Sequence, residues 1–154
     1  VIDNSDLKQK LYLRRRGMSL VPPPSLIVDM YAGEGHISDL IWRHYDCSLI
    51  LIEKEQSKVD KIKFGEVIVG DNSNYLDKTK LANVVDCDAY GLVFKIIKDI
   101  VALSETHKII FFTESNPFSK SIYKAIDSIL ELKPKAFWIE KSNNSSVYYG
   151  YLIK

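Results

Sequence analysis

Short apolar runs recur along the chain, each followed by a stretch with helical spacing. Residues 26–30 read Leu-Ile-Val-Asp-Met, and 48–53 read Ser-Leu-Ile-Leu-Ile-Glu. Further runs fall at 66–70, 82–87 and 107–113. Such runs, bounded by turn residues, predict strands. Between them, apolar residues return every three or four positions. Ile37, Leu40, Ile41 and Tyr45 mark a helix near 37–46, and shorter helical stretches fit 54–62 and 73–81. Val93, Ile96, Ile97, Ile100 and Val101 mark a helix near 91–104. Asn116 and Pro117 read as N-cap and first residue of a further helix, which turns Ile122, Ile126, Ile129 and Leu130 inward. Strands 135–140 and 146–153 close the chain. The turn between them, Lys141 to Ser145, is too short for a crossover helix, so they are antiparallel neighbours.

Five strand–helix alternations followed by a hairpin predict an α/β fold, a mostly parallel sheet with helices on both faces. The nearly continuous apolar strands suit a sheet covered on both sides. The 154 residues fit one domain, with residues 1–25 as an N-terminal helix and proline connector and 26–154 as the core. In that N-terminal part, residues 5–16 predict a helix that Ser5 caps, Leu7 and Leu11 face inward from, and Gly17 ends. Arg14, Arg15 and Arg16 fall in its last turn. They suit the negative end of the helix dipole or, alternatively, a phosphate-contacting patch. Pro22 to Pro24 make a stiff connector.

Composition narrows the field modestly. The net charge of +1 gives no global argument for nucleic acid. No apolar run approaches the roughly 18 residues of a membrane span, and no signal peptide is visible. The chain opens on Val1, so the natural start is expected to lie upstream. Two cysteines, Cys47 and Cys87, are too few for a disulfide scaffold, and a reducing, cytoplasmic setting is expected. They would also sit at opposite ends of their strands, about 15–20 Å apart and beyond bridging distance. His44 and His107 lack metal-ligand spacing with the cysteines, so no metal is expected. His36 reads as an exposed loop histidine. Trp42, Trp138, Phe111 and Phe112 read as core.

The candidate chemistry gathers at strand ends. Asp29 ends the first strand, Glu53 the second, Asp71 follows the third, and Asp86 and Asp88 follow the fourth. A parallel sheet brings these ends to one edge, where open α/β sheets bind ligands. After Asp29 comes Tyr31-Ala-Gly33-Glu-Gly35, a tight turn whose glycines permit positive φ and close backbone approach. Glu53, 18 residues past Gly35, is spaced to accept bonds from ribose hydroxyls. Asp71 and Asn72 are suited to an adenine. A nucleoside-containing cofactor is implied.

These residues resemble class I S-adenosylmethionine-dependent methyltransferases over 26–154. Asp29, Gly33 and Gly35 match that family's first motif, with Tyr31 where a glycine is common. The Tyr-Ala-Gly form is similar to loops of several RNA and DNA methyltransferases. Glu53 matches the ribose-binding acid and Asp71 the acid near adenine. The resemblance implies a Rossmann-like sheet of strand order 3-2-1-4-5-7-6, S-adenosyl-L-methionine as cofactor, and Asp29, Tyr31, Gly33, Gly35, Glu53, Asp71, Asn72 and Asp86 as its binding residues. Val84 to Gly91 resembles the Asp-x-Asp-Pro-Phe/Tyr-Gly motif of tRNA guanine-N2 dimethyltransferases, with Ala89 in place of proline. It implies Asp88 as acceptor for an exocyclic amine and Tyr90 as the stacking residue, with RNA, tRNA above all, as substrate. Asp88 could instead, or as well, cap the helix that follows. Little chain remains for recognition outside the core, so the N-terminal helix, edge loops or a partner subunit would supply it. Two alternatives stay open: a non-catalytic cofactor-binding subunit, and an NAD-dependent oxidoreductase. The second is disfavoured by Ser38 at the third position of G-x-G-x-x-G.

Overall fold

The computed structural model describes residues 6–89, 91, 93–115, 122–142 and 147–154. Five α-helices are present among them: α1 (Leu7–Met18), α2 (His36–Leu40), α3 (Gln56–Val59), α4 (Phe94–Leu103) and α5 (Ile122–Glu131). The strands are β1 (Leu26–Asp29), β2 (Ser48–Glu53), β3 (Glu66–Val69), β4 (Val84–Asp88), β5 (Ile109–Ser115), β6 (Ala136–Lys141) and β7 (Val147–Ile153). They form one seven-stranded sheet of order β3-β2-β1-β4-β5-β7-β6. Strands β1 to β5 pair in parallel, and β7 runs antiparallel to both β5 and β6. The order and the antiparallel hairpin are those expected from the sequence.

Successive strand residues point to opposite faces, and both faces are dry. Val28, Ile50, Val85, Ile110 and Phe112 pack with Ile97 and Ile100 of α4 and Ile129 of α5. Ile27, Leu49, Val84, Ile109 and Phe111 pack on the other face with Ile37, Ile41 and Trp42. Each fully buried Val, Ile or Phe stabilises the fold by about 1.5–3 kcal/mol. Among the described residues no helix is long and apolar enough to cross a membrane. Cys47 and Cys87 are free thiols.

Several expectations are corrected. Gly17 lies inside α1 rather than ending it. A Cβ there would stand 2.6 Å from the Phe111 ring and 2.8 Å from Ile109, so the glycine lets the helix press onto β5. The helix expected at 37–46 breaks at Ile41 (φ −126°, ψ −65°) and continues as a 3-10 turn, Trp42–His44, with Trp42 turned fully inward. The 54–62 stretch forms only one helical turn, and the region after β3 is 3-10 helix, Asn72–Thr79. Leu130 is half exposed, and Ala125 joins Ile129 on the buried face of α5. Trp138 is no core residue: it sits on the edge strand β6, 37% exposed, with the Arg16 guanidinium 4.0 Å from its ring centroid. Ser5, Asn116, Pro117 and residues 143–145 lie outside the described residues.

Candidate functional site

The first half of the site is built from the ends of β1, β2 and β3. Chain direction reverses after Asp29, and Gly33 (φ 56°) and Gly35 (φ 83°) take the left-handed conformations that favour glycine. Asp29 is buried. Its carboxylate accepts from the Tyr31 backbone N–H at 3.1 Å and the Ser38 hydroxyl at 2.7 Å. Glu53 reaches across from β2: Oε2 accepts from Gly33 N–H at 2.9 Å and Oε1 from Glu55 N–H at 3.0 Å. Asp71 Oδ1 accepts both the N–H and the hydroxyl of Ser73, at 2.9 and 2.6 Å, and these bonds lower its pKa. The Asn72 amide donates to Met30 O at 3.1 Å, which ties the β3 loop to the β1 loop.

These loops enclose a cavity of about 340 Å³. Asp29, Tyr31, Gly33, Glu53, Asp71, Asn72, Asp86 and Asp88 all line it. Gly35 does not: its α-carbon faces Ile62 and Phe64, the nearest 3.2 Å from a Cβ placed there. A Cβ on Gly33 would meet nothing within 4 Å, so this glycine opens onto free space. His36 is exposed at the rim, bonded to Glu34 at 3.2 Å. Tyr90 lies outside the described residues. Among the described residues no group of three His, Cys, Asp or Glu side chains is placed to hold a metal ion.

The second half lies at the ends of β4 and β5 and depends on α1. Asp86 is buried and fully engaged from within. Arg14 grips it with two bonds, Nε to Oδ2 at 2.7 Å and Nη2 to Oδ1 at 2.6 Å, and Trp42 Nε1 adds a third at 2.7 Å. Burial alone would lower the Arg14 pKa, but the charge and bonds of Asp86 outweigh it and the net direction is up. Asp88 meets Lys10 Nζ at 2.9 Å (Oδ1) and 3.0 Å (Oδ2), and its Oδ1 also accepts from the Thr113 hydroxyl. Asp88 does not cap the next helix. That helix starts at Phe94, and Glu114 of β5 accepts the Val93 N–H at 2.6 Å. The loop after Asp88 is held further by Ser115 N–H to Gly91 O at 3.0 Å. Anchors from β5 thus secure a loop that carries Ala89 where the resembled motif has proline.

Electrostatics separate the two adjacent buried acids. Asp29 and Asp86 are register partners across β1 and β4. Asp86 holds the arginine. Burial first, and the neighbouring Asp86 second, push the Asp29 carboxyl up to about 8, against the opposing bonds from Ser38 and Tyr31 and the charge of Arg14. Burial likewise lifts the Tyr31 hydroxyl to about 12 and raises Glu114.

Arg14, Lys10, Trp42, Ser38, Thr113 and Glu114 are site-supporting residues that the sequence reading did not single out in these roles. Ser38 had a local signal, a hydroxyl nine residues after Asp29 on the following helix. For the others the signal is long-range.

No protein-family model matches the chain, and no curated protein matches it in sequence. Solved structures do match. M. jannaschii TYW2 in complex with AdoMet superposes with a TM-score of 0.70 at 15% identity, over 99% of this chain and 76% of that one. A SAM-dependent methyltransferase from Archaeoglobus fulgidus gives 0.69 at 14% identity, over 98% and 95%. The chain has the Rossmann-like methyltransferase fold. A further example is the plantazolicin methyltransferase BpumL, in complex with SAH and a triazolic substrate analogue (0.69, 11% identity, 96% and 83%). Within this methyltransferase fold the cavity lies at the carboxyl ends of β1 to β4.

Proposed function

We propose that the chain is an S-adenosylmethionine-dependent methyltransferase acting on an exocyclic amino group of a nucleic-acid base, in tRNA or another structured RNA. The observation that carries the cofactor assignment is that one cavity joins Asp29, Glu53 and Asp71 around the Gly33 turn. The donor set fits the group. Each Glu53 oxygen accepts one backbone bond and retains a lone pair, so the carboxylate can take both hydroxyls of a vicinal diol. On Asp71 both bonds to Ser73 fall on Oδ1, which leaves Oδ2 for an exocyclic amine. Asp29 lines the cavity with its carboxyl raised to about 8, so a ligand cation beside it would draw off the proton, and Gly33 leaves space for close approach. Three structural neighbours with this fold were crystallised with AdoMet, MeSAdo or SAH, which supports the same reading.

Bound there, S-adenosylmethionine would supply an electrophilic methyl: a C–N bond would form as the C–S bond breaks, with the electron pair left on sulfur and one proton lost from the attacking nitrogen. Asp88 is the residue we assign to the amine. An exocyclic amine is a weak nucleophile because its lone pair is delocalised into the ring. A carboxylate accepting its N–H bonds favours the pyramidal, nucleophilic form and gives the released proton a path to solvent. Asp88 lines the cavity beside the cofactor acids, as this role requires. Tyr90 would hold the base by stacking. Asp86 would act through Arg14 and Trp42, fixing β4 rather than touching the cofactor. The protein's contribution is then orientation and exclusion of water. RNA recognition would fall to α1, the edge loops or a partner subunit.

The test is transfer of labelled methyl from S-adenosylmethionine into pools of unmodified RNA. Label in RNA that Asp88→Ala abolishes, with S-adenosylhomocysteine affinity unchanged within a few fold, is the expected result. Full transfer by Asp88→Ala would remove the role given to Asp88. Cofactor binding with no label in any RNA would favour a non-catalytic subunit or a different substrate.

A further inference from the structure

Two cations of α1 reach two acids of β4, and their spacings match. Lys10 and Arg14 are four residues apart, a rise of about 6 Å along one helix face. Asp86 and Asp88 are two residues apart on one face of β4, about 6.6 Å. Running opposite in sense to the strand, α1 places Lys10 on Asp88 and Arg14 on Asp86. The Gly17 contact with Phe111 sets how closely the helix can lie. The Arg14 rung is structural, buried on both sides. The Lys10 rung differs: both acids line the cavity, but the Asp88 side chain is 12% exposed where that of Asp86 is 1%. Lys10 and Asp88 side chains are only 5% and 12% exposed, so the pair is shielded from solvent screening.

We infer that Lys10 is a positioning residue for the transfer step: it holds the Asp88 carboxylate in one orientation and so makes α1 part of the catalytic apparatus. The inference rests on the role proposed for Asp88. Thr113 and Lys10 occupy Oδ1, whereas Oδ2 accepts only from Lys10 among the bonds seen here. A lone pair of Oδ2 therefore remains for a substrate amine. Lys10 is itself held, with its ammonium 5.7 Å from the centroid of the Tyr149 ring, whose hydroxyl donates to Asp6 at 2.8 Å. Among the described residues, the charged and titratable groups around Asp88 are Lys10 and Arg14 from α1, Asp86 and Cys87 from β4, and Tyr149 from β7. Lys10 is the one cation among them bonded to Asp88 itself.

The experiment compares the full chain with Lys10→Met, Lys10→Gln and Lys10→Arg by two readouts. One is the carboxyl carbon NMR shift of Asp88 at fixed pH, which needs no turnover. The other is the rate of single-turnover methyl transfer. Lys10→Met and Lys10→Gln should move the Asp88 signal and slow transfer by about 10- to 100-fold, the cost of a misplaced reacting group. S-adenosylhomocysteine affinity should stay within about twofold, and Lys10→Arg should restore both readouts. An unchanged Asp88 signal in a folded Lys10→Gln protein overturns the inference and leaves the function of Asp88 intact. A moved signal beside an unchanged transfer rate, or full activity in Asp88→Ala, locates the failure in the role given to Asp88. If Lys10→Met does not fold, Lys10→Gln, which keeps a donor without the charge, decides the question.

Discussion

The carboxyl edge of the sheet has two halves that use acids in opposite ways. At the ends of β2 and β3, Glu53 and Asp71 hold their own neighbouring loops through backbone N–H and hydroxyl donors and keep acceptor capacity toward the cavity. At the end of β4, Asp86 and Asp88 are taken up by guanidinium, ammonium and indole donors from elements far along the chain. The first half offers a ligand the acceptor capacity that folding leaves over. The second half is set by α1, which lies outside the βαβ core. A row of similar acids is thus not a row of similar roles: the partner of each carboxylate decides whether it is left open to a ligand or holds structure.

The largest effect that would break this contrast is at Arg14. Arg14→Met leaves Asp86 buried without its counter-charge and should cost about 3–5 kcal/mol, read as a lower urea midpoint. Asp86→Asn in the same chain should recover much of it. At Glu53 the effect should appear in binding instead. Glu53→Ala should weaken S-adenosylhomocysteine affinity by about 10- to 100-fold, the loss of hydrogen bonds to a charged group worth about 1.5–3 kcal/mol, while the urea midpoint changes little. Calorimetry on the two variants side by side separates the halves. Gly17→Ala should lower stability by about 1–3 kcal/mol through overpacking against Phe111, and should disturb methyl transfer more than cofactor binding, because α1 serves the β4 half.

The most gradual effect is a pH slope. The folded state keeps the Asp29 proton up to about pH 8, whereas an unfolded chain loses it near 3.8. Stability from this group is therefore complete below about pH 4 and declines as pH rises toward 8, by at most about 1.4 kcal/mol per pH unit. Asp29→Asn should flatten that slope in thermal melts between pH 5 and 8. A ligand cation beside Asp29 should draw the proton off, so cofactor binding should release protons at pH 7.

Much of this edge was legible in the sequence because its signals are local. Alternating strands and helices fix where the carboxyl ends lie, and Asp29, Glu53 and Asp71 sit at those ends within their own loops. The Gly33 and Gly35 turn was readable for the same reason. The β4 half was not. Lys10 is 78 positions from Asp88 and Arg14 is 72 from Asp86, and no spacing within the sequence signals such pairs. Arg14 read as a helix-end charge or a phosphate contact, since a run of three arginines is ordinarily solvated. Gly17 carried the composition of a helix stop and serves as a close-approach residue instead. Trp42 read correctly as core, but its indole N–H bond to Asp86 depends on the break at Ile41, a tertiary outcome that overrides helical periodicity. Trp138 was misplaced because an edge strand leaves half of its aromatic residues to solvent.

On the proposed function the β1–β3 edge is a site for a nucleoside sulfonium cofactor. Calorimetric titration of the full chain with S-adenosylmethionine, S-adenosylhomocysteine and NAD in parallel decides it. Saturable one-to-one binding of the first two, weakened by Glu53→Ala, with none of NAD, is the expected result. Binding of NAD alone, or of none of the three, would contradict it.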